Sequence, residues 1–329
     1  MRWGRRSSPL KPLVRRAAIA ALAGSVAVPL LRRRLHVPAP VTVAAAAAGP
    51  FSLAVLFPRT KARDAALFAL HMWAFAVVHE LPYDDPQRLA RRLHVRYPIR
   101  ADRVLGLGEL PSVRLQRALS RPGDVTTLDR LLVVVHWAWF AEPHLALVWI
   151  LVRRSERFAR AARQMAAAFD LGCAVYIAAP TAPPWWAAEQ GSIAEEAGEE
   201  EAEVVAKAAP PRLRRVMVEV GERTWGRAWP MLYESLGGNP WAAMPSLHFT
   251  TSVLAAILLA ETGRIAGASG WAYAAALALA LVYLGEHYAI DLLAGALLVA
   301  AVRVGEPLAE PVARRISDAV QRLERISNG

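Results

Sequence analysis

Apolar runs separated by arginine-rich segments constrain this 329-residue chain more than any other feature. Several runs approach the roughly 20 residues that a membrane-spanning helix requires. Backbone polar groups in lipid must be hydrogen-bonded within the protein, so helices are the expected structure. The runs cover residues 17–31, 39–57, 64–82, 131–152, 164–186, 244–261, 271–285 and 287–304. The sequence therefore predicts an all-α, polytopic membrane helix bundle with six to eight spans.

The composition and charge favour one class of binding partner and exclude two kinds of cysteine site. The chain is 55% hydrophobic and carries a formal net charge of +11. Its arginines flank the apolar runs, which favours anionic lipid headgroups over nucleic acid as the partner. Cys173 is the only cysteine, which excludes an intrachain disulfide and a cysteine-based metal site.

Two long polar segments interrupt the spans. Residues 83–130 carry arginines interleaved with apolar residues, and an amphipathic segment of this kind is expected along the membrane interface. A solvated basic loop is the alternative. Residues 187–243 begin with an acidic stretch, which we interpret as a solvated face, and then turn basic. We expect 17–31 to be a short, uncleaved first span, because arginines follow it without a small-residue cleavage site.

Two short histidine motifs lie at the ends of apolar runs: Met244–His248 and Gly285–Asp291. Ionisable residues at the mouths of membrane spans are costly to place there, so they are candidates for function. His287 and Asp291 are four residues apart and share one face of a helix. A carboxylate there can orient one imidazole nitrogen and leave the other free to attack phosphorus. Gly295 continues this face and would permit close helix packing.

The Pro245-Ser246 pair before His248 is typical of a helix N-terminus. Free backbone N–H groups at such an end can hold an anion, so a bound phosphate could accept a hydrogen bond from Ser246. His248 would then be within reach to protonate a leaving oxygen.

A structural role and a metal-binding role are the alternatives for these histidines. Either one alone could be a polar anchor at the interface, and His248, His287 and Asp291 together could form a metal triad. No H-E-x-x-H motif occurs, and a metal would leave the Ser246 anion site unexplained, so we expect neither metal nor cofactor. His136 and His144 lie among aromatic residues, and we interpret them as interfacial rather than catalytic.

The motifs resemble those of the type 2 phosphatidic acid phosphatase superfamily, P-S-G-H and S-R-x5-H-x3-D. Pro245–His248 is similar to the first, with Leu247 in place of glycine. His287–Asp291 is similar to the second, but Leu281 stands where the family has arginine. The P-S-L-H and H-Y-x-x-D patterns, with an upstream P-P-W at Pro183–Trp185, resemble the inositol phosphorylceramide synthase branch. The resemblance covers roughly residues 130–305.

This resemblance implies a multi-span helical fold and a phosphohistidine intermediate formed without a metal. His287 would be the nucleophile, Asp291 its orienting carboxylate, His248 the acid–base group and Ser246 a phosphate contact. Five arginines in the motif-bearing loop remain open as phosphate ligands: Arg212, Arg214, Arg215, Arg223 and Arg227. Further substrate-binding candidates are Pro184, Trp185, Trp186, Asn239 and Tyr288.

The expected function is a membrane phosphotransferase. It would move a phosphoryl or phosphoalcohol group, phosphoinositol among them, from a phospholipid donor to an alcohol or lipid acceptor. A lipid phosphate phosphatase that uses water at the same site is one alternative, and a non-enzymatic lipid-binding membrane protein is another. The membrane is the expected partner, and nucleic acid is not.

The predicted organisation has three parts. Residues 1–129 hold the N-terminal spans and the arginine-rich interfacial segment, 130–305 form the catalytic helix bundle, and 306–329 are a C-terminal tail. Short basic loops at Arg59–Arg63 and Arg153–Arg163 lie opposite the motif ends. By the positive-inside rule, we expect an integral protein of a bacterial plasma membrane with the active site on the extracytoplasmic face.

Overall fold

The computed structural model describes residues 10–121, 123–196, 213–231 and 241–328. Asn239, Arg212 and much of the acidic stretch lie outside these residues. The helices before the first motif are α1 Leu10–Leu35, α2 Ala39–Leu56, α3 Lys61–Glu80, α4 Pro86–Ala90, α5 Arg96–Leu105, α6 Pro111–Leu119, α7 Thr127–Ala138, α8 Glu142–Arg153, α9 Ser155–Ala178, α10 Pro184–Glu189, α11 Ser192–Glu195 and α12 Val216–Trp225. The remaining helices are α13 Leu247–Ala260, α14 Arg264–Tyr283 and α15 Ala289–Asn328.

The all-α membrane fold predicted from the sequence is confirmed. Within the described residues, five helices are long and apolar enough to cross a membrane, namely α1, α2, α3 with the short turn after it, α14 and α15. Helices α7 and α8 together would make a sixth span, bent by 52°. Helix α13 is apolar but shorter.

Two boundaries differ from the sequence-based expectation. The apolar run at 164–186 is not one helix, because α9 ends at Ala178 and a separate short helix starts at Pro184. Pro183 is extended and precedes α10 as its N-cap, as is typical of a residue before proline. At the other end, α15 continues without interruption through the segment expected as a tail, to Asn328.

The chain forms two compact units. The first comprises residues 1–84, 148–167 and 302–329, and the second comprises 85–147 and 168–301. In the first unit α1, α2 and α3 pack against one another, and the Trp73 indole donates a hydrogen bond to the Ser25 carbonyl at 2.9 Å. The Arg63 guanidinium lies 3.0 Å from the Glu324 carboxylate, which joins α3 to the end of α15.

The second unit contains all three sequence motifs. One of its apolar clusters joins α7, α12 and the end of α14, and the buried residues are Val125, Leu132, Val133, Val216, Met217, Val220, Trp229, Ala280, Tyr283 and Leu284. Part of the arginine-rich segment also belongs to this unit. Ile99 of α5 and Leu110 before α6 are buried against Ala187 and Tyr288. The segment therefore contributes core residues beside the second histidine motif, in addition to its exposed arginines.

Candidate active site

Helix α13 begins where the sequence predicts, with Ser246 as its N-cap. The Ser246 side chain accepts a hydrogen bond from the Phe249 N–H at 3.3 Å, as an N-cap serine does. The Tyr176 hydroxyl donates to the Pro245 carbonyl at 2.6 Å and accepts from the Leu247 N–H at 3.2 Å. These contacts set the first turn of α13, and with it the direction of the His248 side chain.

Helix α15 crosses the first turn of α13 at very short range, and Gly295 makes this possible. A Cβ at Gly295 would lie 2.8 Å from Thr250 Oγ1 and 3.0 Å from the Ser246 carbonyl oxygen. The Ser246 N–H donates to the Asp291 carbonyl at 3.0 Å. The close packing predicted at Gly295 is confirmed, and it brings the two histidine motifs together.

His248, His287 and Asp291 form one continuous hydrogen-bonded row. His248 Nδ1 lies 3.1 Å from His287 Nε2, and His287 Nδ1 lies 3.3 Å from Asp291 Oδ2. Asp291 Oδ2 also accepts from the Tyr288 N–H at 2.9 Å, so this oxygen acts as an acceptor. We therefore assign the proton of this contact to Nδ1 of His287 and a lone pair to Nε2. His287 and Asp291 are 4% and 0% exposed, whereas His248 is only partly buried. The row thus begins at a reachable imidazole and ends in the protein interior.

The loop that carries His287 is held from several sides. Gly285 has φ of +71°, a conformation that glycine adopts without strain, and its carbonyl accepts from the Trp185 N–H at 3.0 Å. The P-P-W element therefore lies directly against the loop. Tyr288, just beyond His287, is completely buried among apolar residues of α5 and α10, so the structure gives this ring a packing role.

Asp102 is a site-supporting residue that the sequence reasoning missed. It is fully buried, and its Oδ1 accepts from the Ile290 N–H at 2.9 Å in the first turn of α15. Burial raises the pKa of Asp102 to about 6, and the nearby charge of Asp291 adds to this effect. A carboxyl at the positive end of a helix satisfies N–H groups that otherwise lack partners. Asp102 sits among arginines in the sequence, where a surface ion pair is the simpler expectation.

Burial also governs the protonation of the nucleophile candidate. It lowers the pKa of His287 to about 4, while a hydrogen bond to the Ala243 carbonyl acts in the opposite direction. Water no longer stabilises the charged imidazolium, so the neutral ring is favoured. At neutral pH His287 is therefore a neutral imidazole, with one N–H and one nitrogen lone pair, and this is the form that can attack phosphorus.

The structure distinguishes among the arginines that the sequence leaves open. Arg214 pairs with Glu219 and Arg223 donates to the Gly123 carbonyl, so both are committed to other contacts. Arg215 lies over the Trp185 ring, with its Cζ 3.9 Å from the ring centroid, and pairs with Glu189. Trp185 contacts the His287 loop, so Arg215 lies beside that loop.

Glu286, next to the nucleophile candidate, is a second residue that the sequence reasoning did not single out. Its carboxyl accepts a hydrogen bond from the Trp185 side chain, and burial raises its pKa to about 7. The charge of Arg215 opposes this rise. The sequence could not indicate the raised pKa of Glu286, because the burial that causes it depends on the tertiary structure.

His136 also belongs to this site, contrary to its interpretation as an interfacial residue. It is 6% exposed, and its ring centroid lies 5.0 Å from that of His248. Trp139, one turn further along, lies 4.0 Å from His248 by the same measure. The sequence places these residues more than a hundred positions before His248, so only packing reveals the contact.

Most of the predicted site residues come together in the second unit. Successive contacts connect His248 to His287, His287 to Asp291 and Asp291 to Ser246, and Trp185 lies against the His287 loop. Pro184 is buried as the first residue of α10, and Trp186 is partly buried beside it. Asn239 lies outside the described residues, so its predicted substrate contact remains a prediction.

One of three comparisons with known proteins finds a match. A family model described as the PAP2 superfamily matches residues 100–304, which include Asp102, His136 and all three motifs. No curated protein and no solved structure matches the chain. The matched region covers more than half of the sequence, and the chain therefore belongs to the PAP2 superfamily.

Proposed function

We propose that this protein is a membrane phosphotransferase that moves a phosphoryl or phosphoalcohol group from a phospholipid to an alcohol through a phosphohistidine at His287. The row Asp291–His287–His248 is the observation on which the proposal rests. A nucleophile oriented by one group and paired with an acid–base group is the arrangement that covalent catalysis requires. A non-enzymatic lipid-binding role gives no reason for it.

In the first step His287 Nε2 attacks the donor phosphorus, and an N–P bond forms as the bond to the leaving oxygen breaks. His248, protonated at this stage, gives its proton to the leaving alkoxide. Asp291 accepts from Nδ1 of His287 and stabilises the positive charge that develops on the ring. The products of this step are diacylglycerol, which takes the proton from His248, and His287 with the phosphoryl or phosphoalcohol group bonded to Nε2.

In the second step the neutral His248 removes the proton of the acceptor hydroxyl. The acceptor oxygen attacks phosphorus, the N–P bond breaks, and His287 returns to its starting state. Since His248 is reprotonated in this step, the cycle is balanced without any other proton donor.

Arg215 is our choice for the positive charge that stabilises the phosphoryl group. Its partner Glu189 is about half exposed, with 46% of its side chain accessible, and exposed ion pairs of this kind contribute little stability. A phosphate dianion can therefore compete for the guanidinium, which binds phosphate in a bidentate manner. Arg215 would then supply the positive charge that the family motif provides through an arginine at the position of Leu281.

Burial of the site supports an alcohol over water as the acceptor. His287 and Asp291 are almost inaccessible, and the P-P-W element covers their loop. An enzyme that excludes water from its covalent intermediate protects that intermediate from hydrolysis. The resemblance of P-S-L-H and P-P-W to the inositol phosphorylceramide synthase branch also supports an alcohol acceptor, with phosphoinositol as one transferable group.

We also propose the extracytoplasmic face for the site, on the basis of the short basic loops.

The acceptor can be identified with purified protein in liposomes that contain phospholipid labelled at phosphorus. We expect label in a new phosphoester when a polyol such as inositol is added, and little label in free phosphate. Free phosphate as the main product with every alcohol tested would instead identify a phosphatase. The absence of any turnover and of any phosphoenzyme would contradict both enzymatic functions.

We expect the wild-type protein to bind its donor more weakly at alkaline pH, and we expect Glu286→Gln to keep its affinity. The pKa of about 7 means that the carboxyl gains its charge as pH rises through 7, and that charge then repels the donor phosphate. We expect the wild-type KM for the donor to rise several-fold, about threefold to tenfold, between pH 6 and 8.5, as one like charge at close range predicts. The KM of Glu286→Gln should stay nearly constant.

The variant Glu195→Gln serves as the control for this experiment. Glu195 is an exposed carboxylate, 63% accessible, that pairs with Arg96. Its replacement should leave the wild-type pH dependence unchanged. An equal rise of KM in Glu286→Gln and in the wild type would show that Glu286 does not govern the pH dependence.

A further inference from the structure

His136 is a buried polar residue that the proposed mechanism leaves unused. The side chain is 6% exposed, and Nδ1 has no hydrogen-bond partner among the residues that the structure describes. Almost all buried polar atoms in folded proteins are paired, so an unpaired one calls for an explanation. A histidine on a membrane-spanning helix that faces the protein interior is a candidate for function for the same reason.

The surroundings of His248 show where His136 would act. Three aromatic rings contact the His248 imidazole, with centroid distances of 4.0 Å for Trp139, 5.0 Å for His136 and 5.2 Å for His287. Trp139 is fixed, because its indole N–H donates to Thr251 Oγ1 at 2.8 Å on the helix that carries His248. His287 is fixed by Asp291. His136 is the neighbour whose nitrogen remains to be paired.

Substrate binding requires His248 to move. Its Nδ1 lies 3.1 Å from His287 Nε2, the atom that attacks. A phosphorus poised for attack lies about 3 to 3.5 Å from its nucleophile, so it needs the space that the His248 nitrogen occupies. When phosphate enters, the hydrogen bond between the two histidines must break, and His248 needs a second partner.

We propose that His136 is a positioning residue that provides this second partner: its Nδ1 receives a hydrogen bond from His248 when a substrate phosphate separates His248 from His287. This inference rests on the proposed function. The ring of His136 lies next to that of His248 at an interplanar angle of 31°, and it limits how far His248 can turn. The acid–base imidazole then stays directed at the leaving oxygen instead of rotating freely.

Three substitutions distinguish the role of the His136 ring from the role of its Nδ1. His136→Phe keeps an aromatic ring but removes both nitrogens, and it also removes an unpaired buried polar atom. His136→Asn keeps a polar atom near the position of Nδ1. His136→Gln places its amide nearer the position of Nε2. His144 provides the control, as it stacks on Phe169 with centroids 6.3 Å apart, and His144→Phe replaces a histidine on the adjacent helix.

The measurements are the unfolding midpoint of each purified variant and the rates at which phosphohistidine forms and decays with labelled phospholipid. We expect His136→Phe to unfold at or above the wild-type midpoint, and to form phosphohistidine about tenfold to a hundredfold more slowly, as a misdirected catalytic group does. KM should change little, because His136 does not touch the donor. His136→Asn should recover much of the rate and His136→Gln less, while His144→Phe should match the wild type.

Wild-type rates in His136→Phe would overturn the inference, as would equal rates in the asparagine and glutamine variants. If the phenylalanine variant does not fold, the comparison of asparagine with glutamine still decides. A wild-type protein that forms no phosphohistidine would contradict the proposed function itself. The two failures are therefore distinct.

Discussion

His287→Ala is expected to abolish the phosphoenzyme and to reduce transfer from labelled phospholipid by at least about 10⁴-fold, as the loss of a covalent nucleophile does. The reason is that alanine removes the imidazole that Asp291 orients through Nδ1, and with it the attacking Nε2. Membranes would be quenched with detergent at alkaline pH and digested without acid, and the label assigned to a residue. The label should be stable to alkali and labile to acid, as a phosphoramidate is.

The control for this substitution is His71→Ala. His71 lies on α3 in the first compact unit, which contains none of the three motifs. This variant should retain the label and the transfer activity. Undiminished phosphoenzyme in His287→Ala would place the nucleophile elsewhere and would overturn the mechanism.

His248→Ala is expected to separate the two steps of the reaction. With a phospholipid donor, the loss of the general acid should slow formation of the phosphoenzyme about 10²- to 10⁴-fold. A donor such as p-nitrophenyl phosphate has a leaving group that departs without a proton, so His287 should still become phosphorylated. Decay of the phosphoenzyme to an alcohol acceptor should remain slow, because His248 is then absent as the base. The phosphoenzyme should therefore accumulate.

Rapid-quench measurements with both donors test this expectation. The formation rate should depend strongly on the leaving group in His248→Ala and weakly in the wild type. An equal loss of rate with both donors would show that His248 positions the phosphate and does not transfer a proton.

The local features of the site were predictable from the sequence because they depend on residues close together in the chain. The spacing of His287 and Asp291 placed both on one side of the same turn, and Ser246 was expected at the start of a helix. The structure has both features. Gly295 was expected to permit close packing, and it does so against Thr250 and Ser246.

Other features could not be predicted, because they depend on which distant segments pack together. Asp102 lies in the segment 83–130, which the sequence predicts along the membrane interface, yet its side chain is buried against the first turn of α15. His136 was assigned to the interface, yet it lies against His248. In both cases the identity of the residue and its immediate neighbours were compatible with two environments, and only burial distinguishes them.

The sequence alone therefore determined that the chain forms apolar membrane helices and that its ionisable residues gather at helix ends, since both follow from the cost of exposing polar groups to lipid. The tertiary structure decided which arginine lies beside the nucleophile loop, which carboxyl supports α15, and which third imidazole contacts His248. These contacts join residues up to 188 positions apart, and the close packing of α13 against α15 at Gly295 is what brings the motifs within hydrogen-bonding distance.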